Sequence, residues 1–140
     1  MANNLQFSIA VHLLAGLACG GEPDGLTSAR LALSVNTSPS FVRRTLARLS
    51  KAGLVETTTG PAGSCRLARA PKQISLLDVY QAVAAPKAFA IHSYAEHKAC
   101  PVSCHIKAAL EHALAKIQGA MEAGLAGISL AQIVSDVRKK

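Results

Sequence analysis

The sequence predicts a mainly α-helical chain with one small β-hairpin and a long helix near its C-terminal end. Three observations support this fold class. A stretch from Thr37 to Lys51 places apolar and cationic groups on opposite helical faces, two short β-prone segments follow it, and a wide apolar stripe marks the last third of the chain. The chain has 140 residues, half of them hydrophobic, which suffices for one buried core and an appended element for self-association.

The Arg-rich stretch carries the signals of a helix start and of two opposed faces. Ser38 suits the N-cap position and Pro39 the first helical position, where no backbone N–H is needed. The predicted inner face consists of Val42, Thr45, Leu46 and Leu49, and the outer face of Ser40, Arg43, Arg44, Ala47 and Lys51. Guanidinium groups on the outer face match phosphate oxygens and the edge of guanine.

Two helices are predicted before this stretch. The first runs from about Asn4 to Ala18 and is expected to be largely buried. A short second helix spans Ala29 to Leu33, with Thr27 or Ser28 as its cap. Since a tight polar turn joins the second helix to the Arg-rich one, the pair is typical of a helix-turn-helix.

A hairpin is predicted directly after the Arg-rich helix. Gly53 suits the position that ends the helix, and Leu54–Thr58 and Cys65–Arg69 are β-prone segments separated by a turn over Gly60–Gly63. A hairpin in this position forms the wing of a winged helix-turn-helix. Arg66 and Arg69 on the second segment are expected to contact a phosphate backbone.

The positive charge of the chain is concentrated in one segment. Residues 30–72 hold eight Lys or Arg and a single acid, and therefore carry the whole formal net charge of +7. A localised excess of this kind points to nucleic acid. The chain has no Trp and no apolar run long enough to cross a bilayer, so we expect a cytoplasmic protein without a membrane partner.

The C-terminal part, residues 85–140, is predicted as a second unit after a DNA-binding unit of residues 1–84. A capping box at Ser75–Asp78 opens the last helix of the first unit, which ends near Ala84, and residues 87–98 are predicted as a loop or an irregular helix. A long helix is then predicted from Cys100 to about Gly124. Its apolar stripe is too wide for a small domain to cover, which predicts dimerisation through the same helix of a second copy. A last helix begins at Ser129.

The sequence resembles the Rrf2 family of bacterial winged-helix transcription regulators from end to end. The resemblance is strongest over Ser38–Val55, Gly60–Arg69 and Ile74–Val83, and the Cys100-Pro-Val run resembles the family's sensor loop and dimerisation helix. It implies a homodimer that places two recognition helices in successive major grooves of a palindromic operator. By position, it implies DNA contacts from Ser38, Ser40, Arg43 and Arg44, which Arg48 and Lys51 would flank.

Two features depart from the family pattern. The wing has Gly63-Ser64-Cys65 where the family usually has Gly-Gly-Tyr. Cluster-binding members carry three cysteines before the dimerisation helix, whereas this chain has only Cys100 and Cys104 there. The departure argues against a standard three-cysteine iron–sulfur site.

The cysteines allow three interpretations. Cys100 and Cys104 are four residues apart at a helix start, where the backbone dipole favours a thiolate, so they are candidates for a redox sensor. They are also candidate ligands of an iron–sulfur cluster or metal ion together with His97, His105 or Cys65. The third interpretation is ordinary packing. The position of Cys65 on the predicted wing also suggests the hypothesis that its oxidation, or its bonding to another cysteine, moves the DNA-contacting hairpin.

Two functions from different classes are consistent with these features. The first is a sequence-specific DNA-binding regulator, expected to be a repressor that responds to redox or iron–sulfur and nitrosative signals. The second is a winged-helix module that binds an acidic protein instead of DNA. No catalytic Cys–His–Asp arrangement and no glycine-rich phosphate loop is evident, so an enzyme is not predicted.

Overall fold

The computed structural model describes residues 5–20, 25–58 and 63–139. The predicted turn over Gly60–Gly63 therefore lies largely outside the described residues, as does Asn4. Six helices and one hairpin are described: α1 Leu5–Gly20, α2 Ser28–Val35, α3 Pro39–Lys51, β1 Val55–Thr57, β2 Cys65–Leu67, α4 Leu76–Ala82, α5 Pro101–Ala126 and α6 Leu130–Arg138. A 3-10 turn at Pro71–Gln73 precedes α4.

The helix-turn-helix is formed by α2 and α3. Thr27 is the N-cap of α2, and Asn36 ends that helix in the left-handed conformation with φ +63°, which Asn tolerates better than most residues. Ser38 then caps α3 by accepting a hydrogen bond from the Phe41 N–H. The four residues predicted for the inner face of α3, Val42, Thr45, Leu46 and Leu49, are the ones that are buried.

The hairpin is short and antiparallel, with Val55 opposite Leu67 and Thr57 opposite Cys65. The sequence did not predict that Leu26 also pairs with Cys65 through two backbone hydrogen bonds of 2.8 and 2.9 Å. Gly25 allows this approach, because a Cβ at that position would lie 2.5 Å from the Cys65 carbonyl oxygen. The wing is thus anchored to the segment before α2.

The core combines residues of α1, α2, α3, the hairpin, α4 and α6. Burial of α1 is less complete than predicted, because Leu5 is 61% exposed and only Ala10, Leu13, Leu14 and Leu17 are buried. Leu130 and Val134 bring α6 back onto the core of the first unit. The division into two units between residues 84 and 85 stays a prediction. In the structure, α6 near the end of the chain packs into the same core as α1 to α4.

The longest helix, α5, has 26 residues and none of them is buried. It continues through Gly124, where the sequence predicted its end, and is capped by Gly127. A surface that we call the α5 stripe follows one side of it at helical spacing. This stripe consists of Val102, Ile106, Ala109, Ala113, Ile117, Ala120 and Gly124, of which only Ile106 is half-buried.

Candidate nucleic-acid interface

The outer face of α3 is exposed to solvent. We call this surface the α3 outer face, and it consists of Ser40, Arg43, Arg44, Ala47 and Lys51, each exposed. The opposite side of the helix is buried in the core. None of the ion pairs among the described residues involves an α3 side chain, and α3 contains no acid. The face therefore presents uncompensated positive charge on a rigid helix.

Local contacts order two of its arginines. The Arg43 guanidinium donates to the Ser40 hydroxyl at 3.3 Å. The Arg44 guanidinium lies over the Phe41 ring, 5.7 Å from the ring centroid. Both contacts are weak and exposed, so they orient the guanidinium groups without consuming their remaining donors.

A cleft of about 640 Å³ separates α3 from the wing. Arg43 and Ala47 line it from α3, Thr57 and Thr58 from the hairpin, and the capping residue Thr27 from the start of α2. Hydroxyl groups and a guanidinium group thus converge between the predicted recognition helix and the predicted wing. Such groups are the usual donors to phosphate oxygens.

Two of the arginines predicted to contact or flank the DNA have partners inside the protein. Arg48 donates to the Val83 carbonyl oxygen at 2.9 Å, across a sequence separation of 35 residues. Arg69 lies 3.6 Å from the Asp78 carboxylate and donates to the Ala52 carbonyl oxygen at 3.5 Å. It follows β2 at the base of the hairpin, so the structure places it on the α4 side and not on the wing.

Arg66 lies on the solvent face of the hairpin opposite Glu56, with which it forms an ion pair of 3.0 Å. Both side chains are 57% exposed, so the pair is open to solvent and contributes little to stability. A phosphate can compete for this guanidinium. Among the predicted DNA-contacting residues, Arg66 is therefore reachable but partly neutralised.

Cys100 and Cys104 lie at the start of α5, and both are half-buried. Cys100 is the N-cap, and its Sγ accepts a hydrogen bond from the Ser103 N–H at 3.4 Å. The Cys104 thiol lies 3.8 Å from the carbonyl oxygens of His97 and Lys98. The two thiols thus sit where the loop before α5 meets its first turn.

This loop has no regular secondary structure over residues 86–98, yet it is tied to the first turn of α5. The Tyr94 hydroxyl donates to the Ser103 carbonyl oxygen at 2.7 Å, and the His97 N–H donates to the Ser103 hydroxyl at 2.8 Å. The ring of Tyr94 also stacks on His92 with centroids 4.9 Å apart. Oxidation or substitution of either thiol would therefore alter the contacts that hold the loop against α5.

Comparison with known proteins identifies the family. Residues 4–136 match the Rrf2 family, which is described as an iron-dependent transcriptional regulator. The chain belongs to the Rrf2 family of transcriptional regulators. It is 37% identical over 134 residues to YwnA of Bacillus subtilis (strain 168), which is described as an HTH-type transcriptional regulator. The match covers 94% of this chain and 96% of YwnA.

Solved structures of similar proteins share the architecture of this Rrf2 protein. A crystal structure described as that of a DNA binding protein is 32% identical, with a TM-score of 0.70, and the match covers 91% of this chain and 97% of the other. A transcriptional regulator from Lactobacillus plantarum is 24% identical with a TM-score of 0.81, over 97% and 91% of the two chains. The winged-helix fold with a long C-terminal helix is thereby confirmed.

The described residues of this Rrf2 chain do not fit an iron site held by one protomer. Residues 5–20, 25–58 and 63–139 contain no group of three His, Cys, Asp or Glu side chains placed to hold a metal ion. The predicted set of Cys100 and Cys104 with His97, His105 or Cys65 is therefore not assembled.

No helix of the described part is long and apolar enough to span a membrane.

Cys65 differs from the other cysteines by its position in the core. It is only 6% exposed, and burial raises the pKa of its thiol above the ordinary value of 9.0. Thiols of this kind are less reactive, because the thiolate is the species that is oxidised. Cys19 lies exposed at the end of α1. The structure thus favours Cys100 and Cys104 over Cys65 as sites of thiol chemistry.

Proposed function

We propose that this chain is a sequence-specific DNA-binding repressor that acts in the cytoplasm as a homodimer on a palindromic operator. The α3 outer face is the observation that carries the proposal. It presents three cations without an ion-pair partner among the described residues, on a helix whose other side is held in the core. In a helix-turn-helix, this is the helix that enters the major groove.

The α5 stripe supports the homodimer. Val102 is 66% exposed and Ile117 is 47% exposed in a single protomer, and small residues between them allow another helix to approach closely. A second copy of the same helix would cover the stripe and bring two α3 helices to one side of the dimer. Two such helices read two half-sites related by the same two-fold axis, which is why a palindrome is expected.

Arg43→Ala and Arg66→Ala separate base recognition from phosphate binding. If Arg43 reaches a base edge, its loss should cost about 1–3 kcal/mol on the operator and much less on random DNA. Loss of Arg66 should weaken both kinds of DNA equally and reduce the salt dependence by about one phosphate contact. Fluorescence anisotropy over a salt series, after selection of the operator from random duplexes, measures both quantities.

Lys72→Ala is the matched control, because Lys72 is exposed on the 3-10 turn outside the α3 outer face and the cleft. It removes one positive charge from the same segment and should leave operator affinity nearly unchanged. Equal and sequence-independent losses for Arg43→Ala and Arg66→Ala would contradict a base-reading role for Arg43. A wild-type chain that selects no sequence from the library would favour the protein-binding alternative.

We further propose that Cys100 and Cys104 make the regulator sensitive to oxidants. Peroxide would oxidise the two thiols to a disulfide, with two electrons and two protons passing to peroxide to form two waters. The geometry that supports this is their shared place at the first turn of α5, where the loop is bonded to Ser103. Loss of the Cys100 cap would loosen that turn and the loop with it.

The test follows operator binding and free thiols together during peroxide treatment. Wild-type protein should lose two thiols and operator affinity in parallel, whereas Cys100→Ser and Cys104→Ser should keep their affinity. Cys19→Ser is the matched control, since Cys19 is exposed but lies at the end of α1. If Cys65→Ser alone abolished the oxidant response, the assignment to the α5 pair would be wrong.

A further inference from the structure

A hydrogen-bond network at the middle of α5 joins three parts of the protein. The Gln118 side-chain amide donates to the Tyr80 hydroxyl of α4 at 3.0 Å and to the Glu122 carboxylate at 2.9 Å. Its oxygen accepts a hydrogen bond from the Ala88 N–H at 3.0 Å. Both amide hydrogens and the amide oxygen are therefore engaged, which holds this side chain in one orientation.

Tyr80 is the buried partner in this network. It is 8% exposed, and its ring packs edge-on against Phe7 of α1 with centroids 6.1 Å apart. Its hydroxyl donates to the Pro86 carbonyl oxygen while accepting from Gln118. We call α1 to α4 with the hairpin the winged-helix unit. Tyr80 thus connects the core of this unit both to α5 and to the start of the loop over residues 86–98.

A second attachment holds the far end of α5. The Leu76 N–H donates to the Ile128 carbonyl oxygen at 2.9 Å, and the Leu130 N–H donates to the Ile74 carbonyl oxygen at 2.7 Å. These bonds involve only the backbone and are insensitive to side-chain changes. Gln118 lies ten residues before Ile128, so the two attachments are separated by about 15 Å along the helix.

Hydrogen bonds at these two places, together with the packing of α5 against α4, hold α5 in its direction relative to the preceding elements α1 to α4. N-terminal to Gln118, the described side-chain hydrogen bonds of α5 to other segments reach only the loop at Tyr94–Lys98. A displacement of about 1 Å at Gln118, on a lever of about 15 Å, rotates the helix by about 4°. Among the described side-chain hydrogen bonds of α5, the Gln118–Tyr80 bond is therefore the one that ties this angle directly to α4.

The same helix α4 also positions α3. Arg48 donates to the carbonyl oxygen of Val83, the residue that ends α4, and α3 packs against α4 in the core. The orientation of α3 relative to α5 is consequently transmitted through α4. Arg48 therefore has a structural role, because its hydrogen bond holds α3 against the end of α4.

We infer that Gln118 and Tyr80 are positioning residues that determine which half-site spacing the dimer accepts. They set the angle between α5 and the winged-helix unit, and this angle sets the separation of the two α3 helices across the two-fold axis. The inference rests on the proposed homodimer and its two-half-site operator. Spacing is a sensitive readout, because one base pair adds about 3.4 Å and turns the half-site about the DNA axis.

Competition binding with three operators tests the inference. They carry the selected spacer, or that spacer shortened or lengthened by one base pair. For Gln118→Leu, the preference for the selected spacer should fall roughly tenfold, equivalent to about 1.4 kcal/mol, with the dimer intact by light scattering. Tyr80→Phe should change the preference in the same direction but less, because Gln118 keeps its bond to Ala88.

Gln81→Leu is the matched control. It makes the same chemical change one residue from Tyr80, at an exposed α4 position with no described side-chain hydrogen bond, and should keep the wild-type preference. An unchanged preference in both Gln118→Leu and Tyr80→Phe, or an equal change in Gln81→Leu, would overturn the inference. Tyr80→Phe, which retains the ring, decides the question if Gln118→Leu does not fold. If wild-type protein binds no two-half-site DNA, the proposed function fails instead.

Discussion

The two helices on which the proposed function depends, α3 and α5, differ in how their apolar residues are covered. In α3 the apolar side is buried by its own domain, so that the side left to solvent is cationic. In α5 no residue is buried, and the side left to solvent is apolar. An exposed cationic face calls for an anionic partner, whereas an exposed apolar stripe calls for another protein surface.

The comparison shows that the α3 outer face and the α5 stripe differ in whether one protomer alone completes the packing around their helix. The α3 outer face is rigid because the core beneath it is complete within one protomer. In the proposed homodimer, the α5 stripe would become part of a core only when a second copy is present, and its contribution to stability would then depend on protein concentration. The following predictions test this difference, beginning with the largest expected effect.

Ile117→Glu should separate the proposed dimer into monomers. Each interface would receive two buried carboxylates without partners, which costs several kcal/mol, so the dissociation constant should rise by on the order of a hundredfold or more. Light scattering during size-exclusion chromatography measures the mass. Ala108→Glu, exposed on the same helix but outside the α5 stripe, should stay dimeric. Dimers of unchanged affinity in Ile117→Glu would show that the stripe is not the interface.

Leu49→Ala should destabilise the protomer by about 2–5 kcal/mol, because Leu49 is fully buried beneath α3 and its truncation leaves a cavity. Urea unfolding followed by circular dichroism gives the free energy. The control is Leu33→Ala on α2, since Leu33 is 82% exposed and should change stability by less than about 0.5 kcal/mol. Similar losses at both positions would contradict the burial of the inner face of α3.

The N-caps of the two helices should differ in strength. Ser38→Ala removes a hydroxyl that caps α3 and should cost about 1 kcal/mol. Cys100→Ala should cost less, because the Cys100 Sγ is a weak acceptor at 3.4 Å from the Ser103 nitrogen. Thermal unfolding of both variants measures the order. A larger loss for Cys100→Ala would mean that the thiol does more than cap the helix.

The smallest predicted effect concerns alkaline pH. Burial raises the pKa of the Cys65 thiol above 9.0, so the folded state keeps a proton that the unfolded chain releases. The associated stability is complete below the unfolded pKa and is lost as pH rises through the folded pKa. Cys65→Ala should therefore lose less stability than wild type between about pH 8 and pH 10. Parallel pH profiles of the two proteins under reducing conditions would contradict this.

Local signals predicted the elements around the interface. The N-caps Ser38 and Ser129, the capping box at Ser75–Asp78 and the four buried residues of α3 all agree with the structure. Each depends on residues within one or two helical turns, which is the range over which capping and periodicity act. Helix α5 runs to Ala126, two residues beyond its expected end near Gly124, because a single Gly costs only about 1 kcal/mol inside a long helix.

By itself, then, the sequence determined the helix starts, the two faces of α3 and the concentration of positive charge on the winged-helix unit. Only the tertiary structure decided which of the predicted DNA-contacting cations also have partners within the protein, since Arg48 and Arg69 bind groups on and next to α4. It alone brought Gln118 to Tyr80 and returned α6 to the first core. The reason is physical: contacts between residues tens of positions apart depend on how completed elements pack, and no local pattern encodes that geometry.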